Sequence, residues 1–139
     1  FAKAFAEYLM TPIDPDLPKK VKPGDYIIGG KGIGYGHDHN GPCIAMKGAK
    51  IGAVLCEATN GNFKRNSISY GVPIVEAKGI LAFTKQGDEL EVDLSAGIIK
   101  NLTSGKELKF LPFPDFLIDV FKAGGYLPLL KSMVAAGKL

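Results

Sequence analysis

GAVLCEATNGNFKRNSISYGVPIVEA, residues 52–77, is the stretch that decides the fold. AVLCEA (53–58) is a short apolar run of strand length, bounded by Gly52 and the Asn60-Gly61 pair, and VPIVEA (72–77) repeats the pattern after Gly71. Between them NGNFKRNSISYG opens on an asparagine suited to cap a helix and closes on Gly71. Two buried strands joined by a helix run parallel, because a parallel pair needs a crossover connection. The stretch therefore predicts an α/β class.

The pattern extends toward the N-terminus. YIIGG (26–30) reads as another buried strand, entered through Pro23-Gly24. From Pro42 the residues Cys43, Ile44, Met46 and Lys47 suit a helix of two or three turns with proline in its first turn, ending near Gly48 to Gly52. TPIDPDLPKKVKPGD (11–25) carries four prolines and predicts an extended surface connector. Residues 1–10 fit a short amphipathic helix that ends before Pro12.

Toward the C-terminus the grammar changes. GDELEVDLSAGIIKNLTSGKELKF (87–110) holds three short stretches, entered through Gln86-Gly87-Asp88, Ser95-Ala96-Gly97 and Ser104-Gly105. Glu89 to Leu94 alternates polar and apolar residues, so one face is wet and one packed; an antiparallel meander follows. PFPDFLIDVFKAGGYLPLLKSMVAAG (112–137) predicts two helices separated by Gly124-Gly125, with Phe116, Leu117, Val120 and Phe121 as a core-facing stripe.

The bulk properties narrow the function classes. A length of 139 residues with 46% hydrophobic content suits one globular domain spanning 1–139. A start at Phe1 suggests a trimmed chain or one that continues upstream, so the N-terminus is treated as incomplete. No window reaches the roughly 18 apolar residues of a membrane span, and FAKAFAEYLM lacks the apolar block of a signal peptide. The net charge of +3 comes from 17 basic and 14 acidic residues spread along the chain, with Lys19-Lys20 its densest point. Neither nucleic acid nor membrane is the expected partner. Cys43 and Cys56 are read as buried free thiols in a reducing cytoplasm. Arg65 is the only arginine, so any bidentate guanidinium clamp supplied by this chain must use it.

The chemistry concentrates in GGKGIGYGHDHNGP (29–42), which holds both histidines of the chain behind five glycines. Glycines let a backbone approach a ligand closely. The loop runs into a helix N-terminus near Gly41-Pro42, where free N–H groups and the dipole favour a carboxylate or a phosphate. The loop lacks the Lys-Ser/Thr ending of a P-loop, and GKGIGYG misses the spacing of a dinucleotide fingerprint. His-x-His as a metal site lacks a third ligand nearby. Imidazole, with an ordinary pKa of about 6.5, can act as a base near neutral pH. On an extended strand His37 and His39 share a face while Asp38 turns away. The same two rings could instead merely cap the helix. Arg65 stands equally as a carboxylate clamp or as a structural tie between its helix and the loop.

Four stretches carry a resemblance: KKVKPGDYIIGGKGIGYG, GAVLCEATNGNFKRNSISYGVPIVEA, GDELEVDLSAGIIKNLTSGKEL and FLIDVFKAGGYLPLLK. From Val21 to its end the chain resembles the small subunit of 3-isopropylmalate dehydratase, the stand-alone form of the aconitase swivelling domain. The resemblance implies a β/β/α swivelling fold: a partly parallel sheet, an antiparallel meander and C-terminal helices. It further implies a hydro-lyase small subunit of leucine-biosynthesis type. Such a subunit works with a large subunit whose three cysteines hold a [4Fe–4S] cluster, on a small hydroxy-carboxylate substrate.

The family's loop reads Gly-x-Gly-Ser-Ser-Arg-Glu. Gly34, Tyr35 and Gly36 fall on its first three positions, His37 and Asp38 replace the serines, His39 the arginine and Asn40 the glutamate. The family's upstream Asp-Thr-Asp segment falls before Phe1. By position, His37 becomes the general base or acid, Asp38 an orienting group and His39 a carboxylate holder. Gly34, Gly36, Asn40 and Arg65 become substrate-binding, Arg65 and Asn66 matching the family's Arg-Asn pair. No cofactor and no metal is assigned to this chain itself. The competing expectation is a non-catalytic small-molecule-binding or regulatory domain that kept the fold.

Overall fold

Apolar residues alternate across one parallel sheet, and that alternation creates two separate cores. The computed structural model describes residues 15–33 and 41–137. Three strands, β1 (Tyr26–Ile33), β2 (Ala53–Thr59) and β3 (Ile74–Glu76), pair in parallel in that order. Two helices join them, α2 (Gly41–Gly48) and α3 (Gly61–Ser69), preceded by α1 (Leu17–Lys20). Val54, Cys56 and Ile74 point to the helix side, where they meet Ala45, Met46 and Phe63. Ala53, Leu55 and Val75 point to the other side, toward Ile80, Ile99, Val92 and Leu108.

That second side is covered by the meander: β4 (Leu90–Asp93), β5 (Ile98–Asn101) and β6 (Lys106–Lys109), antiparallel in sequence order. Val92, Ile99 and Leu108 stand in one row of the register and face the parallel sheet, while the Glu91, Lys100 and Glu107 row faces outward. The layer order is therefore meander, parallel sheet, helices, as the resemblance implies. Gly87, Gly97 and Gly105 turn the chain at positive φ in the three predicted turns.

A hairpin of α5 (Asp115–Ala123) and α6 (Tyr126–Ala135) extends the helix layer. It packs through backbone-to-backbone contact: a Cβ on Gly71 would lie 2.5 Å from the Gly124 carbonyl carbon, and one on Gly125 would collide with the Ser69 oxygen. Lys47 Nζ donates to the Gly124 carbonyl at 2.9 Å, tying α2 to the same turn.

Four expectations need correction or lie elsewhere. The proline-rich connector contains the helical turn α1, because Pro18 stands in its first turn, where no N–H is required, and Lys19 and Lys20 sit at its carboxyl end. A second short helix, α4 (Ile80–Phe83), follows β3 where no helix is predicted. Phe116 is 56% exposed and meets Tyr126 of α6 at 6.2 Å between ring centroids, so the predicted stripe is core only from Val120, with Leu117 and Phe121 half-buried. The helix predicted for residues 1–10 lies outside the described residues. Cys43 and Cys56 are fully buried thiols that are not joined in a disulfide, as expected. No helix among the described residues is long and apolar enough to cross a membrane.

Candidate active site at the carboxyl ends of the parallel strands

β1 ends at Ile33 and α2 begins at Gly41, so loop 34–40 starts at the carboxyl end of a parallel strand and returns at a helix N-terminus. In open α/β sheets this is where ligands bind. The register beside it shifts between Lys31 and Ile33, which brings Ile33 opposite Thr59 at the end of β2. Thr59 Oγ1 donates to the Ile33 carbonyl at 2.6 Å and closes the stem of the loop.

The next residue begins the second crossover. Asn60 Oδ1 accepts the Phe63 N–H at 2.7 Å, the cap predicted from sequence, and α3 starts at the same edge of the sheet. Two helix N-termini and two strand ends thus converge on one edge, and the partial positive charge of those N-termini favours an anionic guest.

Arg65 strengthens that field. It is exposed on α3, and its Nη2 donates to Asn62 Oδ1 at 2.6 Å, one turn nearer the N-terminus. A Cβ at position 61 would lie 2.8 Å from Nη1, so glycine there leaves room for the guanidinium to lie along the first turn. Among the described residues Arg65 takes no other side-chain partner, which leaves the rest of its fork available. The neighbouring Lys64 is spent on Glu76 at 3.2 Å.

Glu57, two residues before Thr59, faces the meander side instead. Its carboxylate accepts the N–H groups of Gly79 at 2.9 Å and Leu81 at 3.4 Å, and so holds the first turn of α4 to the end of β2. The Gly79 bond is the main reason that this carboxyl ionises below the ordinary glutamate range, assisted by the N–H groups of Leu81 and Ile80 and by Lys31. A depressed folded-state pKa contributes stability that is present above the unfolded value, about 4.3, and is lost as pH falls through the folded value. Thermal melts from pH 7 to pH 2 should show a gap between wild type and Glu57→Gln that closes in acid. A parallel pair of curves would contradict the assignment.

His37, Asp38, His39, Gly34, Gly36 and Asn40 lie outside the described residues; the structure places the two stems of their loop and, of the predicted set, Arg65. Thr59, Glu57 and Lys47 had no sequence signal, since their partners lie 26, 22 and 77 residues away. Among the described residues no three His, Cys, Asp or Glu side chains gather where they could hold a metal ion.

Comparison with known proteins decides the family. The chain is 47% identical over 130 residues to the isopropylmalate/citramalate isomerase small subunit of Methanocaldococcus jannaschii, covering 94% of this chain and 77% of that protein. It is 40% identical over 126 residues to the 3-isopropylmalate dehydratase small subunit of Pyrobaculum calidifontis, covering 91% and 78%. The chain belongs to the 3-isopropylmalate dehydratase small-subunit family. The solved structure of 3-isopropylmalate dehydratase from Methanocaldococcus jannaschii matches the same fold with a TM-score of 0.86 at 30% identity, over all of this chain and 83% of that one. No family model matches the chain. The relatives bear out the reading of a hydro-lyase small subunit, and a small subunit of this family implies a large one.

Proposed function

We propose that this chain, as a single swivelling domain, completes a hydro-lyase that reversibly dehydrates a small hydroxy carboxylic acid, together with a large subunit carrying a [4Fe–4S] cluster. The observation that carries the reading is the anion-receptive edge where β1, β2 and the N-termini of α2 and α3 meet beside the Arg65 guanidinium. The cluster is assigned to the partner because this chain's thiols do not suit it: Cys43 Sγ is 3.3 Å from Ser67 Oγ and Cys56 Sγ bonds the Val75 carbonyl, both inside the core. Burial, with the nearby Glu76 charge, pushes the Cys56 thiol up to about 11, away from the thiolate that a metal requires.

In this reading His37 takes the proton from the carbon next to a substrate carboxylate, and the electron pair of that C–H bond forms the double bond. The hydroxyl leaves the adjacent carbon, becoming water with a proton delivered from the imidazolium or from solvent. On hydration the same imidazole returns the proton. His39 in its protonated form and Arg65 hold the substrate carboxylates, Asp38 orients an imidazole, and Gly34, Gly36 and Asn40 bring backbone and amide donors close. The test is co-expression with the large subunit, followed by turnover assays on a panel of 2- and 3-hydroxy acids. Co-purification with formation of the unsaturated acid is expected. An assembled complex that binds these acids and dehydrates none would favour the binding-domain alternative.

A further inference from the structure

A recess lies on the meander side of the parallel sheet, between α4 and the β5–β6 hairpin. Its volume is about 530 Å3, and Ala82, Phe83 and Leu108 are the apolar residues that line it. One buried side chain builds both walls. Asn101, 1% exposed, donates from Nδ2 to the Phe83 carbonyl at 3.0 Å and to Asp88 Oδ2 at 2.9 Å, and its Oδ1 accepts the N–H groups of Thr103 and Ser104 at 3.1 Å each. All its bonding capacity is used, so a satisfied network ties α4, Asp88 and the β5–β6 turn together.

The rim adds donors. Thr103 Oγ1 accepts the Glu89 N–H at 2.9 Å and Ser104 Oγ the Lys106 N–H at 3.3 Å, and each hydroxyl keeps its own hydrogen to donate. Lys85 and Lys106 line the recess, and neither ammonium is in a salt bridge or hydrogen bond among the described residues. Asp88 is the one anion in the lining; its Oδ2 accepts both Asn101 Nδ2 and the Lys85 N–H. These two bonds, with help from the Lys85 charge, hold its carboxyl below the ordinary range. The two ammonium groups therefore leave one net positive charge beside this carboxylate. A rim of two ammonium groups and two hydroxyl donors suits a ligand that only accepts hydrogen bonds.

We propose that this recess is a second, non-catalytic binding site for a small oxyanion, with the carboxylate of a short branched acid or a phosphate group seated between Lys85, Lys106, Thr103 and Ser104. An alkyl body on the acid would rest on Phe83 and Leu108. The recess is joined to the end of β2 through α4, whose amino end Glu57 holds there.

The test is a titration of the isotope-labelled full chain, followed by amide NMR, with 3-methylbutanoate in one arm and inorganic phosphate in the other. Saturable shifts confined to the amides of residues 85–88 and 103–106 are expected in at least one arm. The arm that saturates identifies the source of the oxyanion. Lys85→Met and Lys106→Met should each weaken binding by about tenfold, one charge-assisted contact apiece. Both lysines are exposed, so the rest of the spectrum should stay unchanged. Shifts that rise linearly in both arms, or that survive the double variant undiminished, would overturn the site. Because the readout is binding to this chain alone, it stands apart from the success or failure of the hydro-lyase reading.

Discussion

His37→Ala is expected to lower the turnover number of the assembled hydro-lyase by about 10²–10⁴-fold, the range for loss of a general acid–base group. The Michaelis constant should change far less, because the carboxylate-holding groups are left in place. The strand ends, the Asn60 cap and the Arg65 guanidinium are built by residues other than 37, so the anion-receptive edge survives the substitution. The pH profile should carry the signature: a limb of kcat/KM present in wild type disappears in the variant. A helix-capping role for His37 would move the melting temperature and leave that limb intact. Full activity in the variant would remove the assignment.

The largest loss of stability is expected from Gly125→Ala. Gly125 sits at φ +131 in the turn between α5 and α6, and a Cβ there meets the Ser69 carbonyl at the end of α3. Left-handed backbone costs an L-residue about 1–2 kcal/mol, and forcing carbon into a packed contact costs about 1–3 kcal/mol more. The sum, roughly 2–5 kcal/mol, is a large part of the 5–15 kcal/mol that holds a typical domain together. Melting should fall by roughly 10 °C or more. Gly71→Ala should behave alike, since its Cβ would press on the same turn from the other side. Gly124→Ala is the internal control: φ is +91 but nothing lies within 4 Å, so only the backbone cost of about 1–2 kcal/mol applies. Equal losses at 124 and 125 would show that the close approach contributes nothing.

These glycines illustrate what a reader of the bare sequence can see. Gly124-Gly125 is legible as the end of one helix and the start of another, because the signal is local. That the same pair is the floor on which α3 rests is a tertiary fact. The β2–α3–β3 stretch is readable throughout: apolar runs of strand length, an asparagine cap and a terminal glycine all agree. The meander is readable for the same reason, its period-two alternation matching its glycine turns. α4 is not. ILAF is four apolar residues long, and its helical turn depends on a carboxylate at Glu57 that anchors Gly79 and Leu81 from another element. Phe116 misled because a helical stripe marks an apolar face without saying which neighbour covers it; here Tyr126 of the adjoining helix is that neighbour. At the candidate site the chemistry-bearing loop is visible in composition, two imidazoles behind a row of glycines. The clasp that closes its stem, Thr59 on the Ile33 carbonyl, is created by strand pairing and has no linear signature.

The proposed role of segment 34–40, which joins β1 to α2, is to move a proton on a hydroxy-acid substrate. It is tested most directly by running the reaction in D2O with the complete two-subunit enzyme and measuring the product by mass spectrometry. The account predicts that hydration of the unsaturated acid adds one solvent-derived deuterium to the carbon next to a carboxylate in wild type, and that His37→Ala adds it at a rate lower by at least about 10². Equal rates of deuterium incorporation in the two proteins would contradict the account.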